Sequence, residues 1–291
     1  MFNILCRQYT KLYRKFLYKG WKTMRDLFFK LFEPSHFNTG IKITPFSGAH
    51  IVYLILFFGG IFLTWYLYKD LEMNAKDKVL RFLAYALVVI YISDFFIHDF
   101  SNATPGTNVG AGMNIDKLPF HLCTVLCPVI AFTQFNKKFE KIQEPVAVLS
   151  IVGTLMYLGY PASVGSGEPW CYTAVQTMLF HGVELAWGCL CILFGKVKLN
   201  IKNCWKIAIG LGLLTVWAKF GNAILDHNWF FLETDALYIG VVENGIIPKW
   251  SLMIFTPAAV FLMSLLIYGI NYAVKAVVKK IDLQKMKAAK N

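Results

Sequence analysis

The sequence predicts an all-α, polytopic membrane protein: a bundle of about seven transmembrane helices preceded by a basic, amphipathic interfacial segment. Three observations carry this. The chain is 57% hydrophobic and only 16% charged over 291 residues, whereas soluble domains are about half apolar and about one quarter charged. Near-continuous apolar runs recur, each of about 17–25 residues and so long enough to cross about 30 Å of hydrocarbon as a helix. No alternating strand pattern with paired turns competes, which argues against a β-barrel.

Residues 1–45 come first. There Arg7, Lys11, Arg14, Lys15, Lys19, Lys22 and Arg25 mix with Phe2, Tyr9, Tyr13, Phe16, Trp21 and Phe28, a pattern suited to lying on lipid head groups. The bundle follows over residues 46–274, with apolar runs at Phe46–Tyr68, Val79–Ile97, Leu118–Phe135, Val146–Ala162, Tyr172–Phe194, Trp205–Ile224 and Leu252–Val274. Residues 275–291 form a basic tail.

The net charge of +12 is explained by membrane topology and anionic lipid rather than by nucleic acid. Connections one, three and five carry Lys69, Lys76, Lys78, Lys137, Lys138, Lys141, Lys196, Lys198 and Lys202, and the tail carries six more lysines. The even connections are nearly free of bases. The positive-inside rule therefore puts the odd connections and the C-terminus in the cytoplasm. Seven spans then leave the basic leader outside, against the same rule, unless one run does not span. Seven scattered cysteines without a CxxC pair suggest neither a disulfide scaffold nor a zinc site.

Ionisable groups inside spans are costly and are functional candidates by default. Asp94 and His98 close the second run, and His121 and Cys123 open the third. Tyr157 and Tyr160 end the fourth, His181 and Glu184 lie in the first half of the fifth, and Lys219, Asn222, Asp226 and His227 end the sixth. Because the helices alternate in direction, all of these fall toward the even connections. Asp94 with Lys219 also suits a structural bridge, and the tyrosines suit interfacial anchors.

The stretch LPFHLCTVLCP, Leu118 to Pro128, holds the sharpest signal. Pro119 suits a first helical turn, which places Cys123 within about a turn and a half of a helix N-terminus, where a thiolate is favoured. On a regular helix His121, two residues away, points to the opposite face, so His181 on another helix is the better base. Glu184 is then a candidate to orient it.

These motifs resemble the YwaF-like integral membrane family, which includes the eukaryotic transmembrane protein 164 acyltransferases. The likeness rests on PFHLC from Pro119, LFHGVEL from Leu179, GNAILDHNWFFL from Gly221 and IPKWSLMIFTP ending at Pro257. The resemblance implies transfer of a fatty acyl group between membrane phospholipids and lysophospholipids through a cysteine thioester. Carried onto this chain, it implies Cys123 as nucleophile, His181 as base and His121 as a neighbour in the site. Asp94, Glu184, Lys219, Asn222 and Asn228 are expected around the substrate. No cofactor or metal is expected. The HxxxxD, DHHC and GxSxG signatures of other acyl-transfer enzymes are absent from the sequence. Two alternatives stay open: a proton-coupled transporter using Asp94, Glu184 and Lys219, and haem ligation by His98, His121 and His181.

Overall fold

The computed structural model describes residues 43–102, 118–159, 172–225, 227–232 and 248–288. Among these are seven α-helices and no strand: α1 (Gly48–Tyr68), α2 (Met73–Asn102), α3 (Leu122–Phe135), α4 (Gln143–Gly159), α5 (Tyr172–Leu193), α6 (Cys204–Leu225) and α7 (Leu252–Ala288). The expected leader lies almost wholly outside the described residues, as do Tyr160, Asp226 and the side chain of His98.

Five stretches are long and apolar enough to cross a membrane: Gly48–Tyr68, Lys137–Gly159, Ala174–Leu193, Ile201–Leu225 and Leu252–Val278. The outward faces fit this, with Phe62, Leu213, Val216, Leu266 and Ile270 all exposed. In water a surface so apolar would drive association; against lipid it needs no cover. The chain is therefore an integral, multi-pass membrane protein. α7 runs on past the apolar run through most of the expected tail, ending at Ala288.

α2 and α3 depart from the expected runs. α2 is 30 residues long and carries charge at both ends, including Asp77 and Arg81 before its apolar stretch and Asp94 near the close of it. α3 begins at Leu122, four residues later than its apolar run, and has only 14 residues. That is about 21 Å, short of the hydrocarbon thickness. The reason is local. Leu118–His121 turns instead of coiling, with the Phe120 N–H on the Leu118 carbonyl at 2.7 Å, and His121 caps the helix in extended geometry (φ −81°, ψ 157°). Thr124 fastens the turn, its Oγ1 donating to the carbonyls of Leu118 (3.0 Å) and His121 (3.1 Å). Pro119 thus precedes the helix, and Cys123 is its second residue.

α5 is the central helix, packed chiefly against α4, α2 and α1. Met178, Leu185 and Trp187 on it are fully buried. The α4–α5 contact is close because Gly188 lacks a side chain: a Cβ there would lie 2.8 Å from the Ala147 carbonyl oxygen. Small residues that let backbones approach are the usual route to helix association in lipid.

The end of the bundle opposite the candidate residues is tied by a polar network. Asp77 of α2 accepts from Arg81 Nε (2.8 Å) and Gln134 Nε2 (3.0 Å) and pairs with Lys196 (3.2 Å). Lys196 also reaches Glu140 at 3.1 Å. Gln134 Oε1 in turn accepts hydrogen bonds from Gln143 Nε2 (3.3 Å) and from the buried Trp187 Nε1 (3.1 Å). Glu144 accepts from the Asn200 amide (2.7 Å) and Tyr268 (3.2 Å), joining α4 to α7. Burial disfavours charge on Asp77, but the bond and charge of Lys196, with Gln134 and Arg81, hold its carboxyl below the usual carboxylate range. Burial likewise opposes the Lys196 charge, and Glu140 and Asp77 outweigh it, raising the ammonium above its ordinary value.

Candidate functional site

The other end gathers the histidines. His181, buried on α5, has Nδ1 at 2.8 Å from the Thr177 carbonyl oxygen. A carbonyl only accepts, so Nδ1 carries a proton, and the neutral form of the ring is the one with its lone pair at Nε2. The Tyr157 ring of α4 lies parallel to the imidazole, with centroids 3.6 Å apart and planes 7° apart. The imidazole is thus fixed in plane by a stack and in tautomer by its own helix. Glu184 does not take the expected orienting part: it is fully buried, and neither carboxylate oxygen is hydrogen-bonded among the described residues.

Cys123 is half-buried at the start of α3. Leu122, beside it, abuts Gly153 of α4, where an added Cβ would meet Leu122 Cδ2 at 2.9 Å. Gly153 lies one turn below Tyr157, about 6 Å along the axis, and Tyr157 is the residue stacked on His181. The start of α3 is therefore seated against α4 about one turn below Tyr157. Tyr91 of α2 packs against the same part of α5, its ring 5.8 Å from that of Phe180, the neighbour of His181. Cys127, a turn below Cys123, is buried.

His121 sits at the N-terminus of α3 in extended backbone, so the helical spacing that sets it opposite Cys123 does not apply. Its Nδ1 accepts the Phe230 N–H at 3.2 Å, and its ring faces Phe231 at 5.6 Å. Asn222, buried near the end of α6, spends its amide on the Trp229 backbone: Oδ1 accepts the Trp229 N–H at 2.7 Å and Nδ2 donates to the Trp229 carbonyl at 3.3 Å. Asn228 and Lys219 are half-buried on the same loop and helix, and Asp94 is fully buried on α2. Phe120 packs between Trp217 (4.9 Å) and Trp229 (4.6 Å). Gly221 leaves room for it, since a Cβ there would come within 2.6 Å of the Phe120 ring.

His50 is not among the sequence-derived candidates, although the rule that selects ionisable groups inside spans selects it too. It is fully buried at the start of α1. Its Nδ1 accepts the Phe46 N–H (2.9 Å), and Nε2 donates to the Leu158 carbonyl (2.5 Å). Both nitrogens are used, and His50 fastens the last turn of α4 beside Tyr157. Thr177 acts through its backbone carbonyl, which no side-chain pattern reveals.

Two histidines in fixed tautomers, a thiol at a helix N-terminus and an aromatic wall thus share one end of the bundle. Comparison with curated proteins and with solved structures returns no match. The model of the TMEM164 family matches residues 45–274, from the start of the first span to the last. This chain belongs to the TMEM164 family.

Proposed function

We propose that this protein moves a fatty acyl group from a membrane phospholipid to a lysophospholipid through a thioester on Cys123, with His181 as the base. The observation that carries the reading is the His181 tautomer: the Thr177 carbonyl holds the proton on Nδ1 and leaves Nε2 as the basic nitrogen. Family membership and the position of Cys123 in the first turn of α3 support it.

In the first half, Cys123 Sγ attacks the ester carbonyl carbon as His181 Nε2 takes the thiol proton. Collapse of the tetrahedral adduct expels the glycerol oxygen, which recovers that proton and leaves as lysophospholipid, with the acyl group on sulfur. In the second half, the hydroxyl of an incoming lysophospholipid gives its proton to Nε2 and attacks the thioester. Collapse returns the proton to Cys123 and frees the new phospholipid. Ester bonds lie just beneath the head groups, so a site sunk slightly into the bundle meets them at their own depth. On this reading all seven helices cross the bilayer, α3 spanning only from the site to the lysine-bearing side, and the C-terminus is cytoplasmic.

Reconstituted into liposomes with labelled phosphatidylcholine and an unlabelled lysophospholipid, the wild type redistributes the label. Cys123→Ala abolishes this, and His181→Gln lowers kcat by about 10²–10⁴-fold. Redistribution unchanged in Cys123→Ala would reject the proposal. The two fully buried carboxyls, Asp94 and Glu184, favour one second reading, proton-coupled transport with Lys219. Cys123→Ser leaves transport intact and abolishes acyl transfer.

A further inference from the structure

His121 and His181 are held with their protons on opposite nitrogens. A backbone N–H only donates, so the Phe230 amide at 3.2 Å makes His121 Nδ1 an acceptor. An imidazolium has no acceptor at all, so the ring is neutral in this arrangement and its proton is on Nε2. His181 is the reverse, with its proton on Nδ1.

The group that imposes this on His121 is held under strain. Phe230 and Phe231 both adopt left-handed backbone, φ 55° and 53°, a conformation unfavourable for any residue that carries a side chain. Such a turn persists only where its surroundings over-determine it. Here the fastening is Asn222, which bonds both the N–H and the carbonyl of Trp229 and is itself buried. Fixing Trp229 fixes the direction of the next amide, and that amide is the one on His121. The path runs from α6 through two backbone residues to the cap of α3, two residues from Cys123.

We propose that Asn222 is a positioning residue acting through the Trp229–Phe230 backbone, and that it holds His121 in the Nε2–H tautomer as a hydrogen-bond donor in the acyl-transfer site. The donor role rests on the acyl-transfer reading; the clamp does not. In that reaction the attacked carbonyl oxygen gains negative charge beside Cys123. The first amides of α3 and the His121 Nε2–H are donors at that end of the helix. The site then has one histidine built to take protons and one built to stabilise an oxyanion.

The test is ¹⁵N NMR of histidine-labelled protein in lipid nanodiscs, with His121 and His181 signals assigned by their loss in His121→Gln and His181→Gln. Two-bond N–H couplings distinguish the tautomers. The wild type should show His121 as Nε2–H and His181 as Nδ1–H. Asn222→Ala should scramble the first and leave the second, which also reports that the bundle is folded. Asn222→Asp keeps the oxygen that accepts the 2.7 Å bond and should keep the tautomer. In the turnover assay Asn222→Ala should lower kcat by about 10²-fold, with KM within about twofold, and Asn222→Asp should restore most of it. A wild-type His121 protonated on Nδ1 overturns the proposal, as does a folded Asn222→Ala whose His121 stays wholly Nε2–H. If Asn222→Ala does not fold, loss of the tautomer in Asn222→Asp overturns it. Intact tautomers in a protein that never acylates Cys123 uphold the clamp and remove the donor role together with the acyl-transfer reading.

Discussion

Around His181 three contacts do three different things. The Thr177 carbonyl chooses the tautomer, the Tyr157 ring fixes the plane, and His50 steadies the α4 turn that presents Tyr157. An aromatic stack is worth about 0.5–1.5 kcal/mol. Tyr157→Phe should therefore keep acyl transfer near the wild-type rate, and Tyr157→Leu should slow it by about 3–10-fold, read as kcat in the liposome assay. Glu184→Gln divides the two functional readings. Acyl transfer should persist in that variant, because the buried carboxyl makes no hydrogen bond among the described residues; proton-coupled transport would be lost. Cys123, His121 and His181 were legible in the sequence because polar groups are rare and conspicuous in apolar runs. Tyr157 was legible as one of the polar residues at that end and as an interfacial anchor, but not as the ring stacked on His181. Its stacking partner is 24 residues further along the chain, and nothing in local spacing joins them.

The elements follow the apolar runs closely where hydropathy alone decides, as in α1, α5 and α6. They depart where backbone hydrogen bonding decides. The third run reads as helix from Leu118, yet the turn closed by Thr124 delays α3 to Leu122, and this delay makes Cys123 the second residue of the helix. The close approach of α4 to α5 at Gly188 was likewise invisible, since it depends on which helix faces which. Gly188→Val would push a branched side chain against the Ala147 carbonyl and should cost about 1–3 kcal/mol, measured as a lower unfolding midpoint in detergent. Retention of the wild-type midpoint would show that the two helices are not pressed together there.

Across the whole molecule the two ends of the bundle differ in kind. One end concentrates histidines, a thiol and strained loop backbone; the other is stitched by Asp77, Lys196, Glu140 and Gln134 into a satisfied network. The sorting of candidate residues to one end was readable from alternating helix direction. The network was not, because Gln134 and Gln143 look like ordinary polar residues at a helix margin. Asp77 has a lowered folded-state pKa, so its contribution is present above the ordinary carboxylate range and is lost as pH falls through the folded value. Lys196 is raised, so its contribution is present below its ordinary pKa and fades as pH rises through the folded value. Asp77→Asn should lower stability by about 1 kcal/mol at neutral pH, and the difference from wild type should shrink as pH falls below the ordinary carboxylate range and vanish only below the lowered folded value. Melting curves across pH check this, and the site at the far end should keep its activity.

The acyl-enzyme on Cys123 is the intermediate on which the proposed reaction turns. Purified protein in lipid, given phosphatidylcholine with a labelled acyl chain and then digested for mass spectrometry, should carry the acyl mass on the peptide containing Cys123. That mass should be released by neutral hydroxylamine, absent in Cys123→Ala and reduced in His181→Gln. A wild-type protein that redistributes acyl chains with Cys123 unmodified at every time point would contradict the account.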